Sequence, residues 1–377
     1  MGLRPPSASL EPRGRRFARR SGLPVSPAAR PVFLFAGLGA EHPEMGRGLF
    51  RMSATFRSAL DRCDALYLAL TGRPLLVAQH PPFGARIANG RPSYVQPAVF
   101  AYQFALASTL VSWGVRPSAV LGYSLGEDAA ACVAGVASLD DVMALVVSRA
   151  REMDAVRDGG MAVLFADAER TRALIHGLAL DIAAANGPDH TVVSGTRRAI
   201  DAVLASAARQ HVRARRVRTG CAFHSSRMDR VLPALAQQAA AASFHKPSTP
   251  LLSSVTADWV SRATVGDPAY WSGRVRAPIR FRDGIARLYA EGFRTFVEIG
   301  AHPMLLPILR RDPALAGIRC IETARRGEED TMVMTAALVR MPRPGASLAA
   351  YTPPGGRRPG VDMDLRPQAR RAAEISR

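Results

Sequence analysis

Short apolar runs alternating with long helical patterns set the architecture of this chain. Residues 32–35 (Val-Phe-Leu-Phe) and 119–122 (Ala-Val-Leu-Gly) are apolar without alternation, as strands buried on both faces are, and helical periodicity at 97–113 and 125–136 flanks the second run. Strands and helices in this order imply a parallel α/β sheet. The rhythm then changes. Residues 161–165 read as a strand, 168–177 as a helix, 180–185 as a strand, Asn186-Gly187-Pro188-Asp189 as a turn, 191–194 as a strand, 196–210 as a helix and 212–217 as a strand. That βαββαβ order is the pattern of a small ferredoxin-like unit. It reads as an insertion into the larger α/β body, which resumes near Arg218. The expected organisation is a large subdomain made of residues 32–159 and 218–340, a small one at 160–217, and a cleft between them suited to a ligand.

The formal charge of +19 resembles a nucleic-acid signal until it is divided along the chain. Residues 1–31 carry seven arginines against Glu11, and residues 341–377 carry seven arginines against three acids, so the two ends supply more than half of the excess. Both ends are crowded with Pro, Gly, Arg and Ser and are expected to be disordered basic tails. Only Lys246 among the 50 basic residues is a lysine, a skew that fits genome base composition better than selection for phosphate contact. The basic residues are not interleaved with aromatics, so no nucleic-acid partner is expected. No run of apolar residues is long enough to span a bilayer, and no secretory leader pattern is present, so no membrane partner is expected either. Cys63, Cys132, Cys221 and Cys320 are too scattered for a disulfide framework or a metal site. A cytoplasmic protein without a metal is the expectation.

The strongest local motif is Gly122-Tyr123-Ser124-Leu125-Gly126, between an expected strand and an expected helix. A serine on such a turn exposes its hydroxyl, and the N–H groups that follow it lie at the positive end of a helix, where an oxyanion is stabilised. The other reading is a tight βα turn whose serine merely caps the helix. A nucleophilic serine needs a base. His42, His80, His176, His190, His211 and His245 fall in loops or on polar helical faces, where exposure is the default. His224, in Ala222-Phe223-His224-Ser225, and His302, in Gly300-Ala301-His302-Pro303, both fall at sheet edges, and either could serve. In the helix expected at 139–153, Leu139, Val142, Val146, Arg149 and Met153 share one stripe, so an arginine interrupts an apolar face. A buried guanidinium either pairs with an internal carboxylate or waits for an anionic ligand.

Together these segments resemble the acyltransferases that load acyl carrier proteins: the malonyl-CoA transacylases of fatty-acid synthesis and the acyltransferases of polyketide synthases, including the stand-alone, trans-acting type. The resemblance runs from about Pro31 to Arg311. Phe35-Ala36-Gly37-Leu38-Gly39 stands for the family's Phe-Pro-Gly-Gln-Gly. Met45-Gly46, Gln96-Pro97-Ala98, the motif from Gly122 to Glu127, Arg149, Asn186-Gly187-Pro188, Ala222-Phe223-His224-Ser225, Tyr270-Trp271 and the segment from Pro278 to Phe281 follow in the family's order. The resemblance implies an α/β-hydrolase-like large subdomain and no cofactor beyond the coenzyme A thioester itself. Ser124 would be the nucleophile and His224 its base, held by a backbone carbonyl in place of an aspartate. The N–H groups of Leu38 and Leu125 would form the oxyanion hole. Arg149 would bind the free carboxylate of a malonyl-type unit, with Gln96, Tyr123, Phe223 and Asn186 around the substrate. The acyl group would pass from acyl-CoA through a serine ester to the phosphopantetheine thiol of an acyl carrier protein, reached by docking.

Three positions depart from the pattern. Leu38 replaces a glutamine, Tyr123 replaces the histidine before the serine, and Cys221 stands where a histidine is common. Tyr123 bears on acyl selectivity more than on catalysis, and Phe223 would obstruct an α-methyl branch, which favours malonyl. Two further readings remain open. One is a hydrolase that edits carrier-bound acyl thioesters with the same serine. The other is a catalytically silent binding module.

Overall fold

The computed structural model describes residues 31–78, 81–87, 90–156 and 158–341. The two basic end segments and His80 lie outside these residues. Pro31 and Met341, assigned above to the tails, belong to the folded body. Pro31 is buried and its carbonyl accepts from the Ser118 N–H at 2.9 Å, and Met341 is packed in the core.

The large subdomain is built on five parallel strands. Their order is β7 (Leu251–Leu252), β2 (Ala119–Gly122), β1 (Val32–Phe35), β8 (Thr295–Ile299) and β9 (Arg319–Glu322). Every residue of β1, β2 and β8 is buried, because helices cover both faces. Side-chain alternation divides β1 between the two layers. Phe33 and Phe35 join the cluster around the helix Pro92–Ser112, whereas Val32 and Leu34 join the one that includes Ile285 and Leu288 of the helix Phe281–Ala290.

The small subdomain is an antiparallel sheet in the order β4 (Leu180–Gly187), β5 (His190–Gly195), β3 (Gly160–Leu164) and β6 (Ala214–Val217). Its ends coincide with the start of β3 and the end of β6. Ala162 and Leu164 of β3 point to the helices Ala168–Ile175 and Arg197–Arg209, and Met161 and Val163 point the other way, toward the large subdomain. The hairpin between β4 and β5 is tighter than the sequence pattern implies. Asn186 and Gly187 belong to β4 and His190 opens β5, so only Pro188 and Asp189 turn the chain.

Backbone bonds join the small sheet to the segment of the large subdomain that precedes the helix Phe281–Ala290. The N–H of Ala185 donates to the Ile279 carbonyl and the N–H of Ile279 donates to the Ala183 carbonyl, both at 2.9 Å. No helix among the described residues is long and apolar enough to cross a membrane.

One helix departs from its sequence pattern in an instructive way. The segment expected to start at Pro97 starts five residues earlier, as Pro92–Ser112, and Pro97 sits inside it. Proline has no N–H to give the carbonyl four residues back, which belongs to Ser93. The Tyr67 hydroxyl donates to that carbonyl instead, at 3.0 Å. The helix therefore continues through a residue that would otherwise interrupt it. Tyr67→Phe is expected to lower stability by about 1 kcal/mol in urea unfolding; an unchanged midpoint would show that the Ser93 carbonyl is satisfied without Tyr67.

Candidate active site

The ends of β1, β2 and β8 lie side by side, since Phe35 pairs with both Gly122 and Ile299. Three loops therefore leave the sheet together at its carboxyl edge, the usual ligand-binding edge of open α/β sheets. They carry Gly37-Leu38-Gly39, Tyr123-Ser124-Leu125 and Gly300-Ala301-His302. The β2 loop turns within three residues into the helix Gly126–Val133. The Tyr123 N–H donates to the Phe35 carbonyl at 2.8 Å. Ser124 has φ of 54°, a strained value for a residue with a side chain, which is a feature of functional turns. The turn needs both glycines. A Cβ on Gly122 would stand 2.1 Å from Glu127 Cα, and one on Gly126 would stand 2.2 Å from the Phe35 carbonyl oxygen.

Ser124 Oγ lies 2.8 Å from His224 Nε2, and His224 Nδ1 lies 2.8 Å from the Ala277 carbonyl oxygen. A carbonyl only accepts, so Nδ1 carries the proton and donates. The neutral ring then presents Nε2 as an acceptor for the Ser124 hydroxyl. Burial keeps the ring neutral and lowers its pKa to about 4; the Ala277 bond opposes this shift, and the nearby Arg149 guanidinium adds to it. His302 borders the same cleft but does not meet Ser124. Its Nδ1 accepts from the Arg326 N–H at 3.2 Å, and among the described residues it makes no bond to Ser124. Of the two histidines the structure brings His224 to Ser124, and the helix Gly126–Val133 has no side-chain cap bond from the serine.

These groups open into a cleft of about 1320 Å³ between the subdomains. Leu38, Tyr123, Arg149, Asn186 and Phe223 all line it, with Cys221 beside Phe223. Leu125 is buried behind Ser124, at the N-cap of the helix Gly126–Val133. Tyr123 packs edge-on against Phe281, with ring centroids 5.6 Å apart. Burial pushes its phenol up to about 12, with the Asn186 side chain opposing. Gln96 is not brought to the cleft. It is fully buried, and its Nε2 lies 3.2 Å from Met153 Sδ.

Arg149 has the internal carboxylate partner that one half of its sequence alternative expects. Its stripe is buried as expected, and one guanidinium nitrogen donates to Asp128 Oδ2 at 2.9 Å. It nevertheless lines the cleft, and its Nε has no partner. Burial lowers its pKa, with Asp128 working in the opposite direction.

Several participants escaped the sequence reading. The Ala277 carbonyl carries no residue signature. Asp128 follows Glu127 on the first turn of an otherwise alanine-rich helix, and pairing it with Arg149 was within reach of the buried-guanidinium argument. Two histidines expected to be exposed are not. His42 is buried, with Nε2 3.2 Å from the Ala301 carbonyl, and His190 lines the cleft with Nδ1 3.2 Å from Asn186 Nδ2.

Comparison with known proteins gives a consistent picture. Residues 32–337 match the family described as acyl transferase domain. The spectinabilin polyketide synthase system protein NorB of Streptomyces orinoci is 35% identical over 318 residues, a match covering 82% of this chain and 15% of that synthase. The chain thus spans a small part of the length of that relative. Among solved structures, the acyltransferase domain from the second module of the salinomycin polyketide synthase is 34% identical with a TM-score of 0.78, covering 85% of this chain and 75% of that one. The acyltransferase domain of SpnD, solved in complex with 2-(pent-4-yn-1-yl)malonyl, is 32% identical with a TM-score of 0.77, covering 83% and 76%.

The lowered His224 pKa has a definite sign. In the unfolded chain the imidazole takes its proton near 6.5, whereas the folded protein resists it down to about 4. His224 therefore contributes stability above 6.5, and that contribution is lost as pH falls from 6.5 toward 4. Labelling of Ser124 by a serine-directed fluorophosphonate is expected to reach half its maximal rate near pH 4; a midpoint near 6.5 would show that the imidazole at Ser124 titrates as an unburied one.

Proposed function

Because this chain belongs to the acyl transferase domain family, we propose that it moves a malonyl unit from coenzyme A, through an ester on Ser124, to the phosphopantetheine thiol of an acyl carrier protein in polyketide biosynthesis. The observation that carries this reading is the Ser124–His224–Ala277 chain of bonds opening into the same cleft as Arg149. In the first half-reaction Ser124 Oγ attacks the thioester carbonyl while His224 Nε2 takes its proton. The tetrahedral oxyanion sits against the N–H groups of Leu38 and Leu125. The C–S bond breaks, His224 returns the proton to the leaving thiolate, and coenzyme A departs as the thiol. In the second half the carrier thiol loses its proton to His224 and its sulfur attacks the ester carbonyl; the C–O bond to Ser124 breaks and His224 returns the proton to Ser124 Oγ. No resident cofactor enters either step.

Arg149 supplies the reason to favour a malonyl-type donor. A guanidinium held in place by Asp128 on the cleft wall suits a carboxylate, and an acetyl group has none to offer it. Phe223 on the cleft wall leaves less room for an α-methyl branch. Arg91, Arg215, Arg216 and Arg218 also line the cleft, which suits the phosphates of coenzyme A and an acidic carrier surface.

The test is intact-protein mass spectrometry after brief incubation with malonyl-CoA, methylmalonyl-CoA and acetyl-CoA in turn. Malonyl-CoA is expected to give a covalent adduct that Ser124→Ala abolishes; continued labelling of that variant would remove Ser124 from the mechanism. Arg149→Ala is expected to raise the acetyl adduct relative to the malonyl adduct by about tenfold or more, the order of one charged hydrogen bond. An unchanged ratio would show that Arg149 is structural.

A further inference from the structure

Arg149 does not stand alone in the protein interior. Asp128 accepts from Arg149 through Oδ2 and from Arg274 through Oδ1, so one carboxylate is shared by two guanidiniums. Arg149 and Arg274 are each 7% exposed and Asp128 is 2% exposed. Glu127 lies in the same cluster and is equally buried. Its carboxylate takes the Ser254 N–H at 3.2 Å, the Ser254 hydroxyl at 2.6 Å and the Tyr270 hydroxyl. Arg274 lies over the Trp271 ring at 4.5 Å, and its Nε and one terminal nitrogen have no hydrogen-bond partner. Burial opposes its charge, yet Asp128 and Glu127 outweigh burial and raise its pKa.

Two carboxylates therefore face two guanidiniums. Without Arg274, Arg149 would stand against both Glu127 and Asp128, leaving one excess negative charge at the place where an acyl carboxylate has to enter. An incoming anion would meet repulsion in a dry, low-dielectric setting, where it is strongest. With Arg274 present the cluster is balanced, Asp128 is drawn between two partners, and Arg149 borders the cleft with its charge shared with only one oxygen of Asp128, its Nε being buried without a partner.

We propose that Arg274 is a positioning residue for donor selectivity: by taking one oxygen of Asp128 it keeps Arg149 available to the carboxylate of a malonyl-type acyl group. The inference rests on the reading of Arg149 as the carboxylate's partner. It assigns the discrimination between charged and uncharged donors to the cluster of Arg149, Asp128 and Arg274 acting together. Arg274 touches no substrate in this account and acts through Asp128.

The experiment compares the ratio of malonyl to acetyl ester formed on the full chain, by intact mass, for the wild type and four variants. Taking a ratio cancels any effect on His224, whose pKa feels both arginines and which both donors use. Arg274→Met is expected to lower the ratio about tenfold or more, in line with the coupling of close buried charges. Arg274→Lys, which keeps the charge, is expected to hold it closer to wild type. Asp128→Asn combined with Arg274→Met leaves Arg149 against Glu127 alone and is expected to recover most of the lost ratio. Recovery by the double variant supports the proposal even if Arg274→Met alone forms no ester from either donor. A double variant as poor as the single one, or an unchanged ratio in Arg274→Met, overturns it and makes Arg274 a packing residue. Arg149→Ala is the fourth arm. If that variant lowers the ratio and Arg274→Met does not, only this inference fails; if Arg149→Ala leaves the ratio unchanged, the reading of Arg149 fails with it.

Discussion

The bond from His224 Nδ1 to the Ala277 carbonyl fixes which nitrogen faces Ser124, and the geometry of the site follows from it. A side-chain carboxylate in that place would bring a charge into the interior. A carbonyl holds the ring with a dipole and leaves burial free to keep the imidazole neutral. The carbonyl is in turn held by its neighbourhood. Two residues further on, Ile279 exchanges backbone bonds with Ala183 and Ala185 of β4. The segment that orients His224 is thus the one that joins the two subdomains. Ser124 comes from the large sheet, and the opposite wall, with Met161, Val163 and Asn186, comes from the small one. Inserting the small unit does more than shape a cleft, since its edge strand anchors the chain that aims His224.

The second constraint is electrostatic. Glu127, Asp128, Arg149 and Arg274 are all nearly inaccessible, and a buried charge is tolerated only where it is paired and hydrogen-bonded. The helix Gly126–Val133 places both carboxylates in its first turn, where the helix dipole favours them, directly after the strained serine turn. The same short segment therefore supplies the half-buried Ser124 hydroxyl that meets His224 and the counter-charges for two arginines. The tight packing around Gly122 and Gly126 is the steric condition for placing so much chemistry within five residues.

Much of this was legible in the sequence where periodicity or a sharp turn speaks. The unbroken apolar runs of β1 and β2, the βαββαβ order of the insertion, the two glycines around Ser124 and the arginine on an apolar stripe all point to what the structure holds. What escaped has physical reasons. His224 and His302 leave the sheet in comparable positions, and only the long-range placement of Ala277, a backbone group with no signature, separates them. Pro97 marks a helix start by local rules, but a hydroxyl from Tyr67, a residue of another helix, satisfies the carbonyl that proline leaves open. Gln96 sits in a recognisable motif yet points into the core toward Met153. The exposure of His42 and His190 was inferred from polar surroundings in sequence, whereas tertiary packing buries the one and turns the other to the cleft. The sharing of Asp128 by two arginines is likewise a tertiary fact, since Arg274 lies 146 residues away in the chain.

The central claim is that the Ser124 ester is an intermediate of transfer. The most direct measurement is a chase of the isolated acyl-enzyme. The protein is loaded with isotopically labelled malonyl-CoA, freed of coenzyme A by rapid desalting, and divided between buffer alone and buffer containing a phosphopantetheinylated carrier protein, with the label followed by mass. The account predicts that the ester persists in buffer and moves intact to the carrier thiol. Loss of the label to water at the same rate in both portions, with none on the carrier, would contradict it and identify the serine ester as a step of hydrolysis.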